Sequence, residues 1–561
     1  MAVETQITPV IVVGAGLSGL ATALGVALGG RPVIVLEAAD LVGGAAAFSG
    51  GQVWVGANHV AAREGLHDDL DLTERYVRGI AAAHPEALDE AAMRRWLAVA
   101  PEATRYWEDV GAIRWAVIPE MADYHVEVPG AVRAGRYLTN EPIDGSLLGE
   151  WRRYLRVSPH FPVGLTYAEM YVKGRRGSLV DDEDGAVAQH AGVPAFGLPD
   201  SHQPAGDEGR DRLTFGTGVV ASFLARALRE DRVEIRRNTR VTELITDGGE
   251  HVIGVRARDP NGELELTGPV VLATSTYDWD PDLVREFLGL EPDDFGSVAP
   301  QSLRGDGIRL ARSVGGATAR IPATSVPILP GWTSRGGTGY GYGPEYALPH
   351  CMIVDAAGRR FCDDSYWPDI VGHALAPDDR HLPFFLIWDE QHHRSYGLGE
   401  TPPGEPYPDG MVTSSDTLSD LGRKLGIDGE VLERTAARFS AHADSGEDPE
   451  FGRGTVPVVR RFAGDPNHEP NPTLGPITEP PFHGLRLKFV GTGIGSSGVH
   501  IDGDAHVLDD NGAPIPNLYA VGSCAALTQA GSGYNSGFAL GRGLTLAYLA
   551  ARQLRGDPVP V

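Results

Sequence analysis

The sequence predicts an α/β fold in which a parallel sheet flanked by helices opens the chain, a second α+β domain is inserted, and the chain then returns to the first sheet. Three observations predict it. A short apolar run, Val10 to Val13, is followed at once by Gly14, Gly16 and Gly19. A second run, Val33 to Leu36, ends in Glu37. Buried-strand patterns then reappear far away, at Val270 to Ala273 and Leu518 to Val521, with long mixed segments between them.

Val10 to Val13 is too short for a lone helix and rich in β-branched residues, which is how a buried parallel strand reads. The glycines that follow have G-x-G-x-x-G spacing. The first allows a tight turn, the second lets backbone approach a pyrophosphate, and the third lets the next helix pack on the strand. Leu17 to Leu28 is that helix, with its N-terminal dipole facing the phosphates. Glu37 stands roughly twenty residues past the last of these glycines, where an acid accepts from ribose hydroxyls and disfavours a 2′-phosphate. Strand, glycines, helix, strand and acid in this order mark a Rossmann-like dinucleotide site. Gly43, Gly44, Gly50 and Gly51 form a second glycine-rich segment after the acid, which selects FAD over NAD because the chain must run beneath the pyrophosphate and ribityl.

Composition narrows the class. With 561 residues, two or three domains are expected. A net charge of −27, from 75 acidic and 48 basic residues, argues against nucleic acid or an anionic membrane as partner. Cys351, Cys362 and Cys524 make no disulfide framework. The opening residues MAVETQ lack a targeting pattern and no apolar run reaches a membrane span, so a cytoplasmic protein without a transmembrane segment is expected.

Along the chain, Leu70 to Ala83 and Asp89 to Val110 carry helical spacing. Trp115 to Tyr137 has loop chemistry, with aromatics around Pro129 and Gly130. Asp181 to Arg210 is acidic and rich in Gly, Pro and His, and reads as a surface insertion. A helix follows over Gly218 to Glu230. Val233 to Arg236, Val241 to Thr246, His251 to Arg258 and Glu263 to Leu266 read as a small inserted sheet. Residues 1–285 therefore form the first part of the nucleotide domain. Residues 286–480 form the inserted domain, with a hairpin at Met352 to Phe361 turning at Asp355 to Gly358 and a capped helix from about Ser415. Residues 481–561 return to the first domain through a strand at Ala505 to Leu508, the strand Leu518 to Val521 and a last helix from Phe538 to Leu554.

In this order GAGLSG, Glu37, VGGAAAFSGGQVWV, LATSTY, CMIVDAAGRRF and NLYAVGSCAA…GSGYNSGFALGRG resemble the fumarate reductase and 3-ketosteroid dehydrogenase family of flavoproteins. SGGQVWVGAN and DYHVEVPGAVRAGR, Asp123 to Arg136, are similar to segments of its ketosteroid dehydrogenase branch. Ser275 stands where the family has the glycine of an A-T-G turn. The fumarate reductase branch carries an arginine in its H-G-x-N-R-L-G-G segment for a dicarboxylate; here GSGYNSGFALG has none before Arg542. Tyr534, Ser536 and the Gly537 N–H suit a neutral ketone.

The resemblance implies non-covalent FAD on a wall of Gly14, Gly16, Leu17, Ser18, Gly19, Glu37, Ala38, Gly43, Gly44, Ala45, Ala46, Ser49, Gly50, Gly51, Val241, Ala273, Thr274, Gly522, Ser523, Gly537, Phe538 and Ala539. It implies Tyr534 and Gly537 on a ketone oxygen, Tyr366 as base for the α-proton and Tyr124 as relay. Desaturation beside a ketone needs these parts together with a flavin to take the β-hydride. Y-N-S-G also resembles the Y-x-S-G of Δ4-(5α)-dehydrogenases, where Ser536 would act on the C4 side. The expected activity is that of a Δ1-type 3-ketosteroid dehydrogenase with a hydrophobic ketone substrate. The alternatives are the Δ4-(5α) type and an ene-reductase acting on a non-steroid enone. The motifs specify no electron acceptor. His125, His350 and His500 read as isolated loop histidines, and no H-x-x-x-H or Cys/His cluster suggests a metal, so none is expected. Asp363 and Asp364 read as a solvated acidic turn, and Cys351 and Cys362 as small buried residues.

Overall fold

A computed structural model describes residues 8–556 apart from 160, 162, 171–210, 250, 334–339, 343 and 400. The acidic stretch 181–210 lies outside the described residues. Val10–Val13, Val33–Leu36 and Val270–Leu272 are parallel neighbours, with Val12 opposite both Val35 and Val271. Leu17–Leu28 is the crossover helix between the first two. Parallel strands need such crossovers, and helices then cover both sheet faces; continuous apolar runs are the result. Among the described residues the sheet runs His506–Leu508, Pro514–Ala520, Val270–Leu272, Val10–Val13, Val33–Leu36, Val233–Arg236, parallel except for the hairpin of the first two.

Val233–Arg236 is a correction. It is the edge strand of this sheet, with Ile235 opposite Val35, and does not belong to the small inserted sheet. VEIR is only partly buried, and its apolar and polar residue types alternate as those of an antiparallel strand do. The small sheet comprises Arg240–Thr246, Val252–Asp259 and Gly262–Thr267. The helix expected from Gly218 begins earlier and spans Phe215–Ala227. Trp115 to Tyr137 is not all loop: Trp115–Val117 pairs with Tyr137–Asn140, so adjacent strands hold both ends of the chain between them.

Phe482–Gly491, expected to lead back into the first domain, is the central strand of a second sheet. It pairs antiparallel with Phe384–Trp388 on one side and Leu329–Thr333 on the other. The expected hairpin at Met352 to Phe361 does not form. Cys351–Asp355 pairs instead with Phe384–Trp388. After the turn Arg360 points inward, donating to Asp364 at 2.8 Å and Asp448 at 2.7 Å. Asp363 and Asp364 are accordingly buried, not solvated. A helix over Leu418–Leu425 is capped by the Thr417 hydroxyl, and the last helix runs Phe538–Arg555.

Candidate active site

The glycine fingerprint divides into two kinds of requirement. Gly14 has φ +110°, and a Cβ there would lie 2.4 Å from the Ala273 carbonyl oxygen, so the protein itself demands glycine. Gly16 has an ordinary φ of −77°. A Cβ on Gly16 would meet no protein atom nearer than 4.0 Å, yet the residue lines the cavity, so its missing side chain leaves room for a ligand. That is the cradle a pyrophosphate requires. Glu37 accepts from the Ala15 N–H at 2.8 Å and the Ala39 N–H at 2.9 Å, one on each carboxylate oxygen. Burial raises its pKa, opposed by these two bonds. The carboxylate is thereby fixed in orientation with lone pairs left for ribose hydroxyls.

One continuous cavity is lined by Gly14, Gly16, Leu17, Ser18, Glu37, Ala38, Gly44, Ala45, Ala46, Ser49, Gly50, Val241, Ala273, Thr274, Gly522, Ser523, Gly537 and Ala539, together with Tyr124, Tyr534 and Ser536. Gly19, Gly43, Gly51 and Phe538 are not part of its lining; Phe538 packs edge-on to Trp54 with ring centroids 4.7 Å apart. Ser275 also lines the cavity and itself adopts the left-handed φ of 64° that a turn glycine would take without strain.

At the far end of the cavity the rings of Tyr124 and Tyr534 lie 6.3 Å apart and those of Trp367 and Tyr534 5.6 Å apart. Tyr366, at the N-cap of the helix Trp367–Ala374, is not among the lining residues and neighbours Tyr124. Its hydroxyl is buried with no hydrogen-bond partner among the described residues. Burial, and then the neighbouring Tyr124, push the Tyr366 pKa above its ordinary value. Burial likewise raises that of Tyr124, opposed by a hydrogen bond with Ser536. The Ser536 hydroxyl in turn donates to the Gln52 side-chain carbonyl.

Asn535 holds this group together. Its Oδ1 accepts from the Tyr76 hydroxyl at 2.6 Å and the Tyr124 N–H at 2.9 Å, and its Nδ2 donates to the Tyr137 hydroxyl at 2.7 Å. Asp123 accepts from Trp54 Nε1 at 2.8 Å, Val132 N–H at 3.0 Å and Arg136 Nη1 at 2.8 Å. Sequence reasoning missed Gln52, Tyr76, Trp367 and Asn535. Gln52 and Asn535 sit inside quoted motifs and Trp367 follows Tyr366 directly, whereas Tyr76 gives no local signal. Arg542 is buried and donates to the carbonyls of Gly522, Ala525 and Ala526 and to the Gln529 side chain. Among the described residues no Lys, Arg or His lines the cavity.

Comparison with known proteins shows the family. A family described as FAD binding domain matches residues 9–542. The chain is 31% identical to a 4-oxocyclohexanecarboxylate 2-dehydrogenase of Sinomonas cyclohexanicum, over 98% of this chain and 93% of that protein. It is 27% identical to a 3-oxosteroid 1-dehydrogenase of Mycobacterium tuberculosis, over 97% of each. The solved 3-ketosteroid Δ1-dehydrogenase of Sterolibacterium denitrificans, in complex with 1,4-androstadiene-3,17-dione, superposes with a TM-score of 0.83 at 26% identity, covering 98% of this chain and 99% of that one. No helix among the described residues is long and apolar enough to cross a membrane. The chain therefore belongs to the FAD-binding domain family, with the fumarate reductase flavoprotein fold, and is an FAD-dependent oxidoreductase acting on CH–CH groups.

Proposed function

We propose that the chain introduces a carbon–carbon double bond next to the ketone of a neutral polycyclic substrate, with the regiochemistry of a 3-ketosteroid Δ1-dehydrogenase. The observation that carries this reading is the far end of the cavity, where Tyr124, Trp367 and Tyr534 meet and no cation stands among the described lining residues. Apolar aromatic walls with a few hydroxyls recognise a neutral ring system. A substrate carboxylate would call for an arginine or lysine.

The Tyr534 hydroxyl and the Gly537 N–H, at the start of the last helix, hold the ketone oxygen as it gains enolate character, favoured by the helix dipole. Tyr366 takes the α-proton, and Tyr124 beside it relays the proton that Tyr366 must first lose. Bound FAD supplies the acceptor for the β-hydride. Ser536, the candidate for C4-side chemistry, has its hydroxyl engaged by Gln52 and Tyr124. The buried Tyr366 hydroxyl has no such partner among the described residues. This contrast supports the Δ1 over the Δ4-(5α) reading.

The test is anaerobic product analysis with a dye acceptor, using a saturated 5α-3-ketosteroid, a 4-ene-3-ketosteroid and 4-oxocyclohexanecarboxylate in separate reactions. A new 1-ene from either steroid is expected. Turnover of the cyclohexanone acid alone would overturn the neutral polycyclic substrate, and exclusive 4-ene formation abolished by Ser536→Ala would overturn the regiochemistry.

A further inference from the structure

Outside the flavin cavity, Glu390, His393 and His483 converge so that one ligand atom from each lies within 4.8 Å of the other two. The group is assembled across the fold. Glu390 and His393 sit on the helix Glu390–Tyr396, and His483 comes from the central strand of the second sheet, Phe482–Gly491. A single oxygen, Glu390 Oε2, faces both rings, 3.2 Å from His393 Nδ1 and 3.2 Å from His483 Nε2.

The outward-facing nitrogens are already committed. His393 Nε2 lies 2.9 Å from the Glu405 carbonyl oxygen. A carbonyl only accepts, so Nε2 carries the hydrogen, and in the neutral ring Nδ1 then presents a lone pair to the Glu390 carboxylate. A shared cation satisfies that lone pair and the carboxylate together. His483 Nδ1 is held by the Ser414 hydroxyl at 2.8 Å, turning Nε2 toward the same oxygen. Hydrogen bonds to the outward ring nitrogen orient metal-binding imidazoles.

Two donor separations are set by the contacts to Glu390 Oε2, and the two imidazole donors lie within 4.8 Å of each other. A charge-assisted N–H···O bond is about 2.7–2.9 Å long, and both contacts here are longer, at 3.2 Å. Donor atoms bound tetrahedrally at about 2.0–2.1 Å from Zn²⁺ are roughly 3.3–3.4 Å apart. The rings are also held in place. His483 stacks on Trp388 with centroids 5.7 Å apart, and His393 packs on Tyr407 at 4.6 Å. The Tyr407 hydroxyl accepts from Trp388 Nε1 at 3.0 Å.

We infer that Glu390, His393 and His483 form a binding site for one divalent ion of the zinc type, with water completing the coordination and the ion cross-linking the helix to the second sheet. None of the three lines the flavin cavity, so the role is structural.

The test is titration of the chelator-treated, flavin-loaded protein with Co²⁺ alone. Uptake of one equivalent is expected, with d–d absorption at wavelengths longer than the flavin bands, displaced by Zn²⁺, and with an upward shift in Tm on adding Zn²⁺. His483→Gln and Glu390→Gln should each lose the band while keeping the flavin spectrum. Glu390 lies nearer the surface, so its variant decides the matter if the histidine variant does not fold. Absence of saturable uptake in the unsubstituted protein, or an unchanged band in Glu390→Gln, would overturn the site.

Discussion

Asp123 and Arg136 bracket the loop that carries Tyr124, and their side chains meet at 2.8 Å with neither exposed to solvent. Arg136 also reaches Asp68 at 2.7 Å. The first and last polar residues of the D-Y…G-R segment are therefore a clamp, which gives the motif its spacing a physical reason.

Removing the guanidinium would leave the Asp123 and Asp68 carboxylates with their neutral hydrogen bonds but without a counter-charge. Arg136→Met should cost about 3–5 kcal/mol of stability, read as a lower urea midpoint. Adding Asp123→Asn to that variant should recover part of the loss, since one uncompensated charge is then gone.

If Tyr366 is the base, Tyr366→Phe should keep its flavin and slow flavin reduction by roughly two to four orders of magnitude in stopped flow. Because burial and Tyr124 hold the Tyr366 pKa above its ordinary value, the active phenolate is scarce at neutral pH. The reduction rate should therefore climb with pH, without a plateau, to at least about pH 9. A flat profile would remove Tyr366 from the role.

Glu345 offers a pH effect unconnected with turnover. It is buried, Gly399 N–H donates to its Oε1 at 3.2 Å, and Oε2 has no partner among the described residues. Burial pushes its pKa from 4.5 up to about 7. Between those values the folded state holds a proton that the unfolded chain has released. Stability should fall as pH rises through that window, by on the order of 3 kcal/mol, and then level off. Glu345→Gln should remove this component from a plot of Tm against pH.

Non-covalent FAD predicts that acid precipitation releases all the yellow colour into the supernatant. The stretch GGAAAFSGG, residues 43–51, offers no histidine or cysteine for attachment. Colour retained in the pellet would contradict it.

Most of the nucleotide-binding half was legible because its signals are local. Val10–Val13, Leu17–Leu28 and Val33–Leu36 have the predicted bounds, since a doubly covered strand and a glycine turn each write themselves into adjacent residues. What failed was long-range. Val233–Arg236 was misassigned because an edge strand alternates. Met352 to Phe361 looked like a hairpin because the turn is real, although its second arm is drawn away by Arg360. Asp364 looked solvated because its partners Arg360 and Arg453 are not its immediate neighbours; Arg453 contacts it at 3.0 Å from 89 positions along the chain. Tyr76 and Asn535 meet only in the folded molecule.

Gly14 and Ala539 line one wall of the same cavity. At a synthesis rate of 5–20 residues per second, roughly half a minute to two minutes separate their appearance at the ribosome. Over most of that time the strand Val10–Val13 waits for its neighbour Val270–Leu272, and that strand waits for Pro514–Ala520. The complete flavin wall cannot exist on a half-made chain, so loading the cofactor into it is a late event. The apolar strands synthesised first spend the interval as clients of whatever shields unfinished sheets.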